Sequence, residues 1–186
     1  MKKNVLISLR LTIVLVLLLG LAYPLLIAAV GKLTPGAGGG EKVVANNKVV
    51  GYKLIGQSFT EDHYFWGRPS AVNYNAAGSG GSNKGPSNPD YLQQVKDRID
   101  SFLAHNPGIK RSDIPAELVT ASGSGLDPDI SPAGAYVQVK RVAAARQLPE
   151  ATVTQLVEKN ITKPFAGLGP EKINVLQLNI ALDQLK

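Results

Sequence analysis

The sequence predicts a single N-terminal transmembrane helix followed by one soluble domain of the α+β (or α/β) class. Three observations predict it. Between Arg10 and Lys32 run 21 consecutive uncharged residues, mostly Leu, Ile, Val and Ala. A short Gly-rich stretch follows, and beyond it β-branched runs coexist with apolar residues at helical spacing. The remaining chain, about 146 residues, is long enough to bury roughly 68–70% of its unfolded surface without disulfides.

Residues 1–10 form a basic N-terminus with Lys2, Lys3 and Arg10. Residues 11–31 are the span, because a helix rising about 1.5 Å per residue over that length crosses a hydrocarbon core of roughly 30 Å. A cleaved signal peptide is the rival reading, but its apolar part is usually about 7–15 residues and ends in a better site than Ala28-Ala29-Val30. Pro24 removes a backbone donor within the span, and either kinks it against neighbouring helices or is simply accommodated. The excess of Lys2, Lys3 and Arg10 over Lys32 and Lys42 favours a cytoplasmic N-terminus, which places the soluble domain outside the cytoplasm.

Residues 32–41, with TPGAGGG at their centre, read as a flexible tether to a globular domain at 42–186. Asn46-Asn47 suits the turn of a hairpin between Val43-Val44 and Val49 to Ile55. The polar, Gly-rich tract from Asn73 to Pro89 reads as a long loop. Asn88 and Pro89 fit the cap and first position of a helix carrying Leu92, Val95, Ile99, Phe102 and Leu103, stopped by Pro107. A second helix is expected after Ser131-Pro132 with Tyr136, Val139, Val142 and Ala143. A third begins near Leu148-Pro149 and ends by Asn160. The segment INVLQLNIALDQL reads as a strand running into a short terminal helix.

Composition narrows the chemistry. Without cysteine there is no disulfide scaffold, thiolate zinc site or cysteine nucleophile. The net charge of +6 owes four positives to Lys2, Lys3, Arg10 and Lys32, which leaves 16 basic against 14 acidic residues from Glu41 onward and no long basic run for nucleic acid. GSGGSNKG lacks the glycine before, and the Ser or Thr after, the lysine of a phosphate loop. His63 and His105 have no carboxylate at metal-ligand spacing, and Asp127 and Asp129 lack the further acidic ligands of a calcium loop. Ser122, Ser124, Asp127 and Asp129 are therefore expected to shape a structural turn. No catalytic or metal residue is assigned. A membrane-anchored extracytoplasmic hydrolase using a Ser with Lys84 as base is the alternative from a different class, since Ser79, Ser82 and Lys84 lie close together in sequence.

Tyr64, Phe65, Trp66 and Arg68 place three aromatics beside an arginine, with the only Trp of the chain among them. Such a set is either a core plug, with Arg68 stacked on Trp66 or bonded to backbone, or an interface anchor. The candidate interaction surface is this cluster together with Asn75, Ser79, Asn83 and Lys84 of the following loop.

Three segments, GQSFTEDHYFWGRPSAVNYNAAGSGGSNKGPSNP, LVTASGSGLDPDISPAGAYVQVKRVAAARQLP and NVLQLNIALD, together with the basic start and single span, resemble the C subunit of the bacterial Kdp potassium-transporting ATPase. The resemblance covers nearly the whole chain. It implies a non-catalytic accessory subunit in the bacterial inner membrane, needed for assembly and for activity of the ATP-hydrolysing subunit. Its partners would be a potassium-channel-like subunit, a P-type ATPase subunit, a small single-span subunit and lipid. The chain lacks the DKTG segment that a P-type pump phosphorylates. The family is described as a catalytic chaperone that raises ATP affinity. An extracytoplasmic domain has no ATP beside it, so ATP enters only through the complex, with coupling through the channel-like subunit as the easier route.

Overall fold

A computed structural model describes residues 2–164 and 167–185. The chain divides between Lys42 and Val43 into two compact units. The first is dominated by one continuous helix, Lys2–Gly31, with a mean hydropathy of 2.8 over its most apolar window and no buried residue. It comprises α1 (Lys2–Leu15), a π-helical stretch Val16–Ala22 and α2 (Tyr23–Gly31). The wide turn is the physical answer to Pro24. A proline ring crowds the preceding turn and offers no N–H, and the i→i+5 pattern, in which the Tyr23 N–H donates to the Leu18 carbonyl, opens the ladder just before it.

Residues 32–41 form successive tight turns, with Ala37 donating to Thr34 and Gly39 to Gly36. Gly36, Gly38 and Gly40 supply the positive φ those turns need.

The second unit is α+β. It opens with a hairpin of β1 (Lys42–Ala45) and β2 (Lys48–Tyr52), whose turn residues Asn46 and Asn47 have φ of 50° and 59°. Positive φ at both central positions is the type I′ signature, and Asn tolerates it. Helix α3 (Pro89–His105) starts as its sequence predicts: the Asn88 side chain accepts from the Tyr91 N–H at 3.0 Å, with Pro89 at the first position. Ile99 and Phe102 face the core, but Leu92 is 52% exposed and does not join the packed stripe.

A two-stranded antiparallel pair joins β3 (Asp129–Ile130) to β4 (Ile173–Asn174), with Asp129 opposite Asn174 and Ile130 opposite Ile173. The helix expected after Ser131-Pro132 is two helices, α4 (Pro132–Tyr136) and α5 (Val139–Arg146). The break has a local cause at Gln138. Its own N–H bonds to the Ala135 carbonyl three residues back, while its side-chain amide takes the Gly134 carbonyl that an uninterrupted α-helix would have offered. Helix α6 (Glu150–Lys159) packs on α4, α5 and α7 (Val175–Asp183). Val153 and Val157 on α6, Val142 on α5, and Leu178 and Leu182 on α7 are fully buried, with Phe65, Ile130 and Ile173 among them. Fully burying a side chain of this kind contributes about 1.5–3 kcal/mol.

Candidate interaction site

The segment Tyr64 to Arg68 is extended chain with no strand beside it, so its backbone groups need other partners. Two carboxamides, one on a helix and one at a helix break, supply them. Asn179 on α7 accepts from the Phe65 N–H at 2.9 Å and donates to the Phe65 carbonyl at 3.0 Å. Gln138, in the α4–α5 break, accepts from the Trp66 N–H at 2.8 Å and donates to the Trp66 carbonyl at 3.2 Å. Both side chains are buried.

Arg141 on α5 completes the frame. Its Nη2 donates to Gln138 Oε1 at 2.7 Å, its Nε to Asn106 Oδ1 at 3.1 Å, and its Nη1 to the carbonyls of Asp62 at 2.6 Å and Tyr64 at 3.0 Å. The guanidinium carbon stands 4.3 Å from the centre of the Trp66 ring. Burial lowers the Arg141 pKa to about 10, opposed by the nearby Asp62 carboxylate. The group remains a cation at neutral pH.

Trp66 is thereby fixed through backbone, ring and Nε1, which donates to the Glu61 carbonyl at 3.1 Å. Its ring meets Phe102 and His105 edge-on at 6.2 and 5.0 Å. His105 Nδ1 lies 2.8 Å from Asp62 Oδ1. Trp66 lines an open cleft of about 500 Å³ with Phe59, Tyr74, Arg98, Phe102 and His105. Phe65 is different: it is fully buried and adds no surface. Tyr64 is half-buried under Arg146, and donates its hydroxyl to Asp183 Oδ2 at 3.1 Å. Burial first, then the Asp183 hydrogen bond, raises its pKa.

Of the alternatives open for Arg68, stacking on Trp66 is not what occurs. Arg68 Nη1 bonds Asp127 Oδ2 at 2.9 Å, and Arg141 occupies the ring face. The Arg68 Nε is buried without a hydrogen-bond partner. Asp127 also accepts from the Asp129 N–H at 3.0 Å, and Asp129 opens β3 rather than lying in a turn, paired with Lys172 at 2.6 Å.

The two Gly/Ser-rich segments come together. Ser79 Oγ and the Gly80 N–H both donate to the Ser124 carbonyl, and the Ser122 N–H donates to the Pro69 carbonyl. A Cβ on Gly125, whose φ is +67°, would fall 2.6 Å from Val72 and 2.8 Å from the Gly80 carbonyl, so glycine is needed there. Asn75 accepts from the Ala77 N–H, and Asn83 has a φ of 52°. Lys84 pairs with Asp90 at 3.6 Å. Ser79 and Lys84 are thus bonded elsewhere rather than to each other. Among the described residues, no three His, Asp or Glu side chains converge as a metal-ligand set.

Residues 5–184 match the family described as KdpC: K+-transporting ATPase, c chain. The chain belongs to the KdpC family. It is 58% identical over 184 residues to the potassium-transporting ATPase KdpC subunit of Flavobacterium johnsoniae, covering 99% of this chain and all of the relative. The KdpC subunit of Caldanaerobacter subterraneus is 49% identical over 177 residues, covering 94% of this chain and 92% of that one.

Within this KdpC-family chain, the residues that sequence reasoning missed are Gln138, Arg141, Asn179 and Asn106. A signal for two of them was present. Ala135, Gln138, Val139 and Val142 share one face, as do Val175, Leu178, Asn179 and Leu182, so each carboxamide interrupts a buried apolar stripe. Buried amides must be bonded, and the hydrogen-bonding capacity of Asn and Gln suits an unpaired stretch of extended backbone.

Proposed function

We propose that this chain is a non-catalytic accessory subunit of an ATP-driven potassium uptake complex. It spans the bacterial inner membrane once, with Lys2, Lys3 and Arg10 in the cytoplasm and the soluble unit outside. The family match over residues 5–184 carries this reading, because it embraces the apolar helix and the soluble unit together. The excess of basic residues before the span supports the orientation.

In this reading the subunit is needed for assembly with a potassium-channel-like subunit, a P-type ATPase subunit and a small single-span subunit. It raises the ATP affinity of the ATP-hydrolysing subunit without holding nucleotide or another cofactor itself. An effect of that kind requires the soluble unit to bind one conformation of its partners more tightly than the other, and the shift equals the ratio of those affinities. The half-buried Trp66 at the open cleft, with the loop from Asn75 to Lys84, supplies the contact surface. An aromatic immobilised before binding loses little entropy on docking.

Two measurements test this. The chain should co-purify in mild detergent with larger multispanning proteins, and isolation as a lone species overturns the subunit reading. Protease added to intact spheroplasts should digest the soluble unit. Digestion only after lysis reverses the orientation.

A further inference from the structure

Two cavities follow one another along a single face of α3. Gln94, Arg98, Ser101, Phe102 and His105 recur at three- and four-residue spacing, so they share that face. From Arg98 to His105 it lines the open cleft at Trp66, and from Gln94 to Arg98 it lines a second cavity of about 360 Å³. Arg98 belongs to both.

The second cavity is polar and carries one sign of charge. Ser82 and Lys84 of the Gly-rich loop line it with Gln94 and Arg98 of the helix, and among the described residues no Asp or Glu does. Little of this donor capacity is used within the chain. The Arg98 guanidinium makes one bond, from Nη1 to the Val119 carbonyl at 3.2 Å. The Lys84 ammonium stands 3.6 Å from the Asp90 carboxylate, beyond hydrogen-bond reach, and the Asp90 side chain is 77% exposed. A pair so long and so wet is worth little. Among the described residues, the Ser82 hydroxyl and the Gln94 carboxamide bond to no protein group. Two cations and two neutral donors around one cavity have the chemistry of an anion receptor, and the planar fork of arginine suits a carboxylate.

The neighbouring cleft decides between a free anion and a carboxylate carried on a chain. A free anion fills the polar cavity and leaves Phe59, Trp66 and Phe102 facing water. A segment with an acidic residue next to an apolar one fills both cavities, with Arg98 at the junction, and buries an aromatic that is already immobilised. Asp97 sets the direction. It stands on the wall of the cleft, accepting from Gln93 at 2.7 Å, and its charge repels a second carboxylate there, so the acidic residue belongs at the Gln94 end.

We propose that the cavity at Lys84 and Arg98 receives an aspartate or glutamate side chain of a partner subunit, with the apolar residue beside it seated in the Trp66 cleft. This rests on the reading of the chain as one subunit of a complex, and it names the chemistry that the contact surface selects. The contact is electrostatic in part, so it weakens with salt.

The assembled complex, purified in mild detergent from its native membrane, gives the test. With p-benzoylphenylalanine in place of Ser82, irradiation should link this chain to a segment of a partner subunit that holds an Asp or Glu close to the linked position, as read by mass spectrometry. Lys84→Glu should lower co-purification of the partners several-fold at unchanged thermal stability of the chain, and Lys84→Arg should restore it. Arg98→Glu also breaks the Val119 bond, so the exposed Lys84 carries the comparison. Links only to lipid, or to a segment without an acidic residue, overturn the proposal. So does full co-purification of Lys84→Glu, or a fall that lost stability accounts for. A saturable change in Trp66 fluorescence when inorganic phosphate is added to the chain alone, with Lys84→Glu assembling normally, assigns the cavity to a free anion and overturns it as well. A parent chain that purifies alone fails the subunit reading and this proposal with it, whereas an intact parent complex confines the failure to the proposal.

Discussion

Gln138 clamps Trp66 through both of its backbone groups, accepting from the N–H at 2.8 Å and donating to the carbonyl at 3.2 Å. Asn179 does the same to Phe65. One side chain on a helix and one at a helix break therefore serve a stretch of extended chain as a neighbouring strand would, and they fix the buried Phe65 and the half-buried Trp66.

Replacing Asn179 by Leu should destabilise the soluble unit by about 2–4 kcal/mol, because the Phe65 N–H and carbonyl are both left buried and unpaired. Asn179→Asp keeps the acceptor and loses the donor. Denaturant unfolding of the chain in mild detergent should rank the parent above Asn179→Asp, and that above Asn179→Leu.

Arg141→Met should cost about 3–5 kcal/mol, since removal of a buried cation strands the Asp62 and Tyr64 carbonyls and Asn106 Oδ1 together. Arg141→Lys keeps the charge but lacks the planar fork, and recovers only part of the loss. Thermal unfolding followed by far-UV circular dichroism separates the three proteins.

Trp66→Ala should lose about 2 kcal/mol of stability, less than the roughly 3–5 kcal/mol of a fully buried aromatic, because the ring is only half-buried. If the cleft is the contact surface, co-purification of partner subunits should fall further than that loss explains. The comparison is with Val153→Ala, a core change of similar stability cost placed away from the cleft. Equal co-purification of the two variants would assign Trp66 to packing alone.

Tyr74 gives a pH dependence of definite sign. Burial first, and the Asp127 charge second, raise its pKa above the ordinary 10.0. Its hydroxyl donates to the Arg68 carbonyl, a bond that ionisation destroys. Above the unfolded pKa the unfolded chain releases this proton while the folded one keeps it. The stabilisation is therefore complete below about pH 10 and is lost as pH rises through the raised folded value. Tyr74→Phe should show a flatter decline over that alkaline range when stability is measured against pH.

The anchor carries its own prediction. Replacing Leu11 to Val30 by an unrelated apolar span of equal length should weaken co-purification with partner subunits, if the helix packs specifically on theirs. Unchanged co-purification would leave the soluble unit as the sole holder.

Much of this fold is legible in local chemistry. Asn88-Pro89 caps α3, Ser131 caps α4 by accepting from Gly134, and Asn174 caps α7 by accepting from Gln177. Each signal lies within a few residues of the element that it starts. What escaped depends on partners far away in sequence. Strand β3 is two residues long and exists because Ile173 lies opposite Ile130. The break between α4 and α5 follows from where the Gln138 side chain goes. Arg141 reads as an ordinary charged helix residue until the carbonyls of residues 61–64 are brought beneath it. In the site, the aromatic residues were visible by type, but type alone did not separate buried Phe65 from accessible Trp66, nor Arg68 from Arg141 as the stacking cation.

The wide turn at Val16–Ala22 alters how the apolar helix is to be scanned. Each i→i+5 turn holds about one residue more than an α turn, so the side chains beyond it lag by roughly 100° against a regular helix. Residues that share a stripe before Val16 do not continue along the same stripe after Ala22. A mutational scan of the helix should therefore give two periodic runs out of phase with each other, and a single heptad frame drawn through all thirty positions would misassign the faces of one half.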